Sequence, residues 1–292
     1  MIRFVRRLRR GNSAALCIPA MFVMLVIALF WRAAFLRGVF FFGDIFRLYY
    51  PQRAAWLRAL AQGQLPLWTP NLLAGYPLLA EGQSGPFYPV NWILSLLFPA
   101  DTALNYYILG HYIWAGLTMY GLGRQHGLSR WASVLSGIVY MWSGFCIAHL
   151  NHLNILAVAS WLPALFSTSR LLCLKVHQGW RAASRAWSGM VVCLAMIWLA
   201  GHPQMALLSL LLVLAHAAWQ VLLGKTASIP LSRGRYALKV GLALAGALAL
   251  AAGLAAAQLL PSLELTQLSE RAGGLDPDFF ASFSLHPAYC SC

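Results

Sequence analysis

Acidic side chains are scarce in this chain of 292 residues: 7 Asp and Glu stand against 21 Lys and Arg. Charge of either sign is scarce too, at 10% of residues where a soluble domain carries about 25%. With 60% hydrophobic residues and a mean hydropathy of +0.67, the chain is too apolar for a soluble globular core, and its composition excludes disorder. The six Cys supply no disulfide framework. Cys17, Cys146, Cys173 and Cys193 lie in or beside apolar runs, and Cys290 and Cys292 are too close together for an easy mutual bridge. No G-x-G-x-x-G or Walker A motif is present, so a nucleotide-binding domain is not expected. The formal charge of +14 would suggest nucleic-acid binding in a soluble protein. Here it reads as the cytoplasmic Lys/Arg excess of a polytopic membrane protein, with membrane lipids as partners and no nucleic acid.

What is there is a series of apolar runs near 20 residues, the length that crosses a bilayer. Seven spans are expected, at 14–36, 103–123, 131–149, 153–172, 186–201, 204–223 and 238–260, in an all-α polytopic fold. A basic run (Arg3, Arg6, Arg7, Arg9, Arg10) precedes the first span. That span is too long for a signal peptide and no A-x-A site follows, so it reads as an uncleaved anchor. The positive-inside rule puts the N-terminus in the cytoplasm, together with Arg124, Arg130, Arg170, Lys175, Arg181, Arg185, Lys225, Arg233, Arg235 and Lys239. All seven acids, Asp44, Glu81, Asp101, Glu264, Glu270, Asp276 and Asp278, then fall outside, so any carboxylate chemistry belongs to the outer face.

Residues 37–102 form a first outer loop too long and too aromatic to be a linker. Within it, 51–62 reads as an amphipathic helix with Pro51 at its start, Gly63 at its end and Ala54, Leu57, Leu60 and Ala61 on one face. A second short helix is expected at 89–98. Both are too short to span and read as interfacial.

The loop opens on Asp44 among Phe41, Phe42, Phe46, Tyr49 and Tyr50, with Arg47 nearby. Asp44 is either a capping or Arg47-paired loop residue or a partly desolvated general base. Arg47 and Arg53 either bind phosphate or snorkel at the interface. His149 and His152, three apart, could share a helix face and hold phosphate or a divalent metal, or could be polar helix-end residues. A metal would need further ligands, and only Asp44, Glu81 or His202 could supply them. Glu81 is either a second acid or a turn residue. His202 and Gln204 sit in a turn between spans five and six on the same outer side.

Several stretches carry a family resemblance. They are G-D-x(5)-Y-P-Q (Gly43, Asp44, Tyr50, Pro51, Gln52), G-Q-L-P-L-W-x-P (Gly63 to Pro70), G-Y-P (Gly75 to Pro77) and F-Y-P (Phe87 to Pro89). W-S-G-F-x(3)-H-x(2)-H (Trp142 to His152), W-L-P (Trp161 to Pro163) and G-H-P-Q (Gly201 to Gln204) follow. In order and number these resemble the bacterial YfhO-like membrane protein family, over roughly residues 38–262. That family is similar in architecture to GT-C glycosyltransferases. The resemblance implies a GT-C-like domain over 1–262, a polyprenyl-phosphate sugar donor, a cell-envelope glycan or lipid acceptor, and an early acidic catalytic residue matched here by Asp44. From the residues themselves, the candidate substrate contacts are Arg47, Tyr50, Arg53, Glu81, His149, His152, His202 and Gln204. Family members are longer, so 263–292 reads as the start of a further outer segment, cut short. The expected activity is sugar transfer at the outer face of a bacterial inner membrane. A lipid or glycan transporter or flippase, or a non-catalytic assembly protein, is the alternative.

Overall fold

The computed structural model describes residues 17–224 and 231–269, with 272–274, 276, 278 and 282. The N-terminal basic run, Lys225, Glu270, Arg271, Cys290 and Cys292 lie outside the described residues. The described chain is helical, without strands beyond one isolated antiparallel bridge between Thr69 and Tyr76. In chain order the helices are α1 (Cys17–Leu29), α2 (Trp31–Ala34), α3 (Tyr50–Ala61), α4 (Leu78–Glu81), α5 (Pro89–Leu97) and α6 (Ala100–Gln125). Then come α7 (Arg130–Met141), α8 (Gly144–Ala148), α9 (Leu153–Lys175), α10 (Trp180–Leu199), α11 (Pro203–Leu222) and α12 (Arg233–Leu268).

Among the described residues, five helical stretches are long and apolar enough to cross a membrane: α7 with α8, α9 with the turn after it, α10, α11 and α12. This makes the chain a multi-pass membrane protein. The expected span at 103–123 is α6, a helix of 26 residues that is long enough but not among the apolar five. It packs most heavily on α7 and α9 and buries Asn105, Tyr107, His111 and Tyr112. Such polar groups are tolerated where protein, not lipid, surrounds them.

The remaining bounds differ from the sequence expectation for visible reasons. The first span does not run unbroken to 36. It kinks at Phe30 (φ −110°, ψ 34°), whose ring packs against Phe40, Tyr112 and Trp142 at 5.3, 5.5 and 5.7 Å. The third is interrupted after Met141, where Ser143 starts α8 by accepting the Cys146 N–H at 3.3 Å. The fifth is a full 20 residues, because Arg181 and Arg185 ride on the helix and do not precede it. The last continues through Pro261 for 36 residues, about 54 Å at about 1.5 Å per residue, well beyond a hydrocarbon core of about 30 Å.

Small residues let the backbones approach, as lipid-facing bundles require. Ala243, Ala247, Ala251 and Ala255 recur every four residues on α12 and are all buried; α10 is the helix it contacts most. Phe22 of α1 is fully buried against Gly116 of α6 and Gly137 of α7. The helix order sets Arg124, Arg130, Arg170, Lys175, Arg181, Arg185, Arg233, Arg235 and Lys239 at one end of the bundle. Asp44, Glu81, Asp101 and Glu264 lie toward the other.

The loop helices match 51–62 and 89–98 to within a residue, and a single π-helical turn, Ile45–Tyr49, leads into α3. The buried face of α3 is not the expected apolar one. It carries Gln52, Arg53, Ala55 and Trp56. Trp56 meets Trp92 of α5 edge-on at 4.8 Å, and Leu78 completes this small core.

Candidate functional site

The approach to Asp44 is fixed by one buried side chain. Asn105 of α6 donates to the Gly38 carbonyl at 2.9 Å and accepts the Phe40 N–H at 3.1 Å. Gly43 then turns the chain at φ +53°, a region closed to most side chains. A Cβ there would sit 2.9 Å from Asn151 Nδ2, so the loop is pressed against the α8–α9 turn. The next residues bury Ile45 and Tyr49, and Asp44, just before them, is left at the surface.

The Asp44 carboxylate neither caps the turn nor pairs with Arg47. It meets His152 across 108 positions of sequence, Oδ2 to Nε2 at 3.4 Å, with side-chain exposures of 42% and 37%. Both groups are reachable from solvent and still held. His149 and His152 do not share a helix face, because α8 ends at Ala148 and both lie in the turn before α9. Their rings are nevertheless 5.4 Å apart. His149 Nδ1 lies 2.8 Å from the Phe145 carbonyl, which only accepts, so Nδ1 carries the hydrogen of this bond. His152 Nδ1 is buried without a partner among the described residues.

Two further segments close on this turn. Tyr49 donates to Asn154 Oδ1 at 2.7 Å, and Asn154 Nδ2 donates to the Gly201 carbonyl at 3.2 Å. His202 follows directly. Its Nδ1 accepts the Met205 N–H at 3.1 Å and starts α11. Burial lowers the His202 pKa, and the fields of His152 and His149 lower it further. Among the described residues no group of three or more His, Cys, Asp or Glu could hold a metal ion.

Glu81 approaches from the far side of the loop. Its Oε2 accepts the Gln83 N–H at 2.9 Å, and it is bonded to the Tyr76 hydroxyl, which also takes a hydrogen bond from Gln52 at 2.9 Å. Burial raises the Glu81 pKa, opposed by these bonds. It raises that of Tyr49 too, and the charges of Asp44 and Glu81 both add to it. Two carboxylates therefore bear on one phenol. The segment is clamped by α12: Gln258 donates to the Leu79 carbonyl at 2.9 Å and Ser262 to the Ala80 carbonyl at 2.7 Å.

Not every expected contact residue joins the cluster. Arg53 is buried, with Asn91 Oδ1 at 2.7 Å and Ser95 Oγ at 3.2 Å as acceptors, and burial lowers its pKa to about 10. It ties α3 to α5 and is not open to a ligand. Arg47 and Gln204 are exposed, and Tyr50 is packed edge-on to Phe41 at 5.7 Å. Sequence reasoning saw Tyr49 only as an aromatic neighbour of Asp44 and Tyr76 only within the G-Y-P motif, and gave neither of them nor Asn91 a role at the site. A tyrosine or asparagine within an aromatic loop gives no periodic signal to find it by. Asp276 and Asp278, counted among the outer acids without a role, form a D-x-D pair in which Asp276 Oδ1 accepts the Asp278 N–H at 3.1 Å.

No family model matches the chain, and no curated protein or solved structure matches it.

Proposed function

We propose that this chain is a membrane glycosyltransferase of GT-C-like architecture that moves a sugar from a polyprenyl phosphate to a cell-envelope acceptor, with inversion. The observation that carries the reading is the meeting of Asp44 with His152 at the acid-bearing end of the bundle. Asp44 takes the proton of the acceptor hydroxyl. The hydroxyl oxygen bonds to the anomeric carbon, and the bond from that carbon to the donor phosphate breaks, its electron pair leaving on the polyprenyl phosphate. A carboxylate that is oriented by a neighbour and still open to solvent suits this step. His152 orients Asp44, and the exposed Arg47 guanidinium serves the departing phosphate. Arg53 has no such role, because its guanidinium is enclosed.

The site faces outward in this reading, with the basic end in the cytoplasm of a bacterial inner-membrane protein, as the Lys/Arg asymmetry favours. The motifs around Asp44, His152 and His202 that resemble the YfhO-like family support the same assignment. The test is transfer of radiolabelled sugar from polyprenyl-phosphate donors by the purified chain in lipid vesicles. Transfer to a lipid or glycan acceptor is expected. No transfer from any such donor would overturn the assignment and favour a non-catalytic role.

A further inference from the structure

At the basic end of the bundle, far from Asp44, α10, α12 and the turn at 176–179 border an open cavity of about 390 Å³. Its volume is within the range of small-ligand pockets, about 300–1,000 Å³. Its walls are Trp180 and Trp187 of α10 and Leu242, Ala243 and Gly246 of α12, with Lys239 at one end. The Trp187 indole N–H is spent on the Ala243 carbonyl at 2.9 Å, so the ring offers the cavity only apolar surface. Trp180 stands edge-on to it at 5.1 Å. Leu242 and Trp180 are 64% and 57% exposed and form a rim open to the bilayer side. A Cβ at Gly246 would lie in ordinary contact with Trp187 Cζ2, at 3.8 Å, so a side chain longer than alanine's at this position would extend over the slot.

The charge around this apolar slot has one sign. Lys239 borders it, and Arg235, four residues earlier, shares that face of α12; both are exposed. No ion pair involves either among the described residues, and no helix or connection described at this end carries an Asp or Glu. An apolar slot between membrane helices, walled by Trp and bordered by unpaired cations, fits an amphiphile with an anionic head. We propose that this cavity is a binding site for an anionic phospholipid, one acyl chain against Trp187 and Gly246 and the phosphate on Lys239 and Arg235. The site is independent of the sugar-transfer reading.

The test uses the full chain in phosphatidylcholine vesicles, with brominated phosphatidylglycerol or brominated phosphatidylcholine as quencher of tryptophan fluorescence. Wild type is expected to be quenched preferentially by the phosphatidylglycerol. Lys239→Gln and Arg235→Gln should each lower that preference, by about five-fold at most per cation. Gly246→Leu should reduce quenching by both lipids by filling the slot. Should a charge variant fold poorly, Trp180→Phe with Trp187→Phe decides instead, since the preferential component must vanish with these two rings. Equal quenching by the two lipids in wild type, or a preference surviving either the charge pair or the tryptophan pair of substitutions, would overturn the site.

Discussion

Replacing Asn91 by Leu should destabilise the loop by about 3–5 kcal/mol, which is far more than a surface substitution in a loop. Asn91 is 3% exposed and makes three side-chain bonds: it accepts from Arg53 at 2.7 Å and donates to the carbonyls of Ser84 and Gly85 at 2.9 and 2.7 Å. A bond to a charged group contributes about 1.5–3 kcal/mol and a neutral one about 0.5–1.5. Losing one of the first kind and two of the second sums to about 2.5–6 kcal/mol, and the quoted range is its middle. Leu also leaves a buried guanidinium with Ser95 as its remaining side-chain acceptor at 3.2 Å. Removing the cation as well should therefore recover part of the loss, so Arg53→Met with Asn91→Leu should be more stable than Asn91→Leu alone. Equilibrium unfolding of the purified chain in mild detergent measures both. A cost below about 1 kcal/mol for Asn91→Leu, or a double variant as unstable as the sum of the singles, would refute this reasoning.

Three other outcomes follow from the same geometry. Gly201 has φ +80°, and a Cβ there would run into the Gly82 carbonyl, 2.9 Å from its carbon; Gly201→Ala should cost at least about 2 kcal/mol in unfolding and raise hydrogen exchange around residue 82. Burial depresses the His202 pKa below its unfolded value of 6.5, so this residue stabilises the fold above pH 6.5 and that contribution is lost as pH falls through the folded pKa. His202→Asn keeps a capping side chain and should flatten that part of the pH–stability curve. For orientation, a single Cys at position 83 in a Cys-free background should react with an impermeant reagent in intact cells, while one at 178 should not; the reverse would invert the topology.

The sequence made the short loop helices legible because Pro51 and Pro89 mark first turns and neither run is long enough to cross. Span count was less legible. Hydropathy detects lipid-facing surface, and α6 keeps Asn105 and His111 inside protein, bonded to Gly38 and to Tyr88 and Tyr107. The span expected to end at 260 runs on through Pro261. The bonds of Gln258 and Ser262 to the Leu79 and Ala80 carbonyls, nearly 180 positions away, hold the helix past it, and local sequence carries no trace of them. The same limit applies at the site. That Asp44, Glu81, His149, His152 and His202 face one side follows from charge and alternation. That Asp44 meets His152 and not Arg47 depends on Gly43 folding against Asn151. Arg53 misled most, because a guanidinium in this loop suits phosphate, while its partners in the fold are the neutral acceptors Asn91 and Ser95.

Asp44 as the transferring base is tested most directly by Asp44→Asn in the full chain in lipid vesicles, with sugar transfer and thermal unfolding measured on the same preparation. The substitution keeps size and most hydrogen bonding while removing the proton acceptor. An unchanged unfolding temperature is expected, with a loss of about 10²–10⁴ in transfer rate, the range for removing a general base. Near-wild-type transfer by a folded Asp44→Asn protein would contradict the assignment.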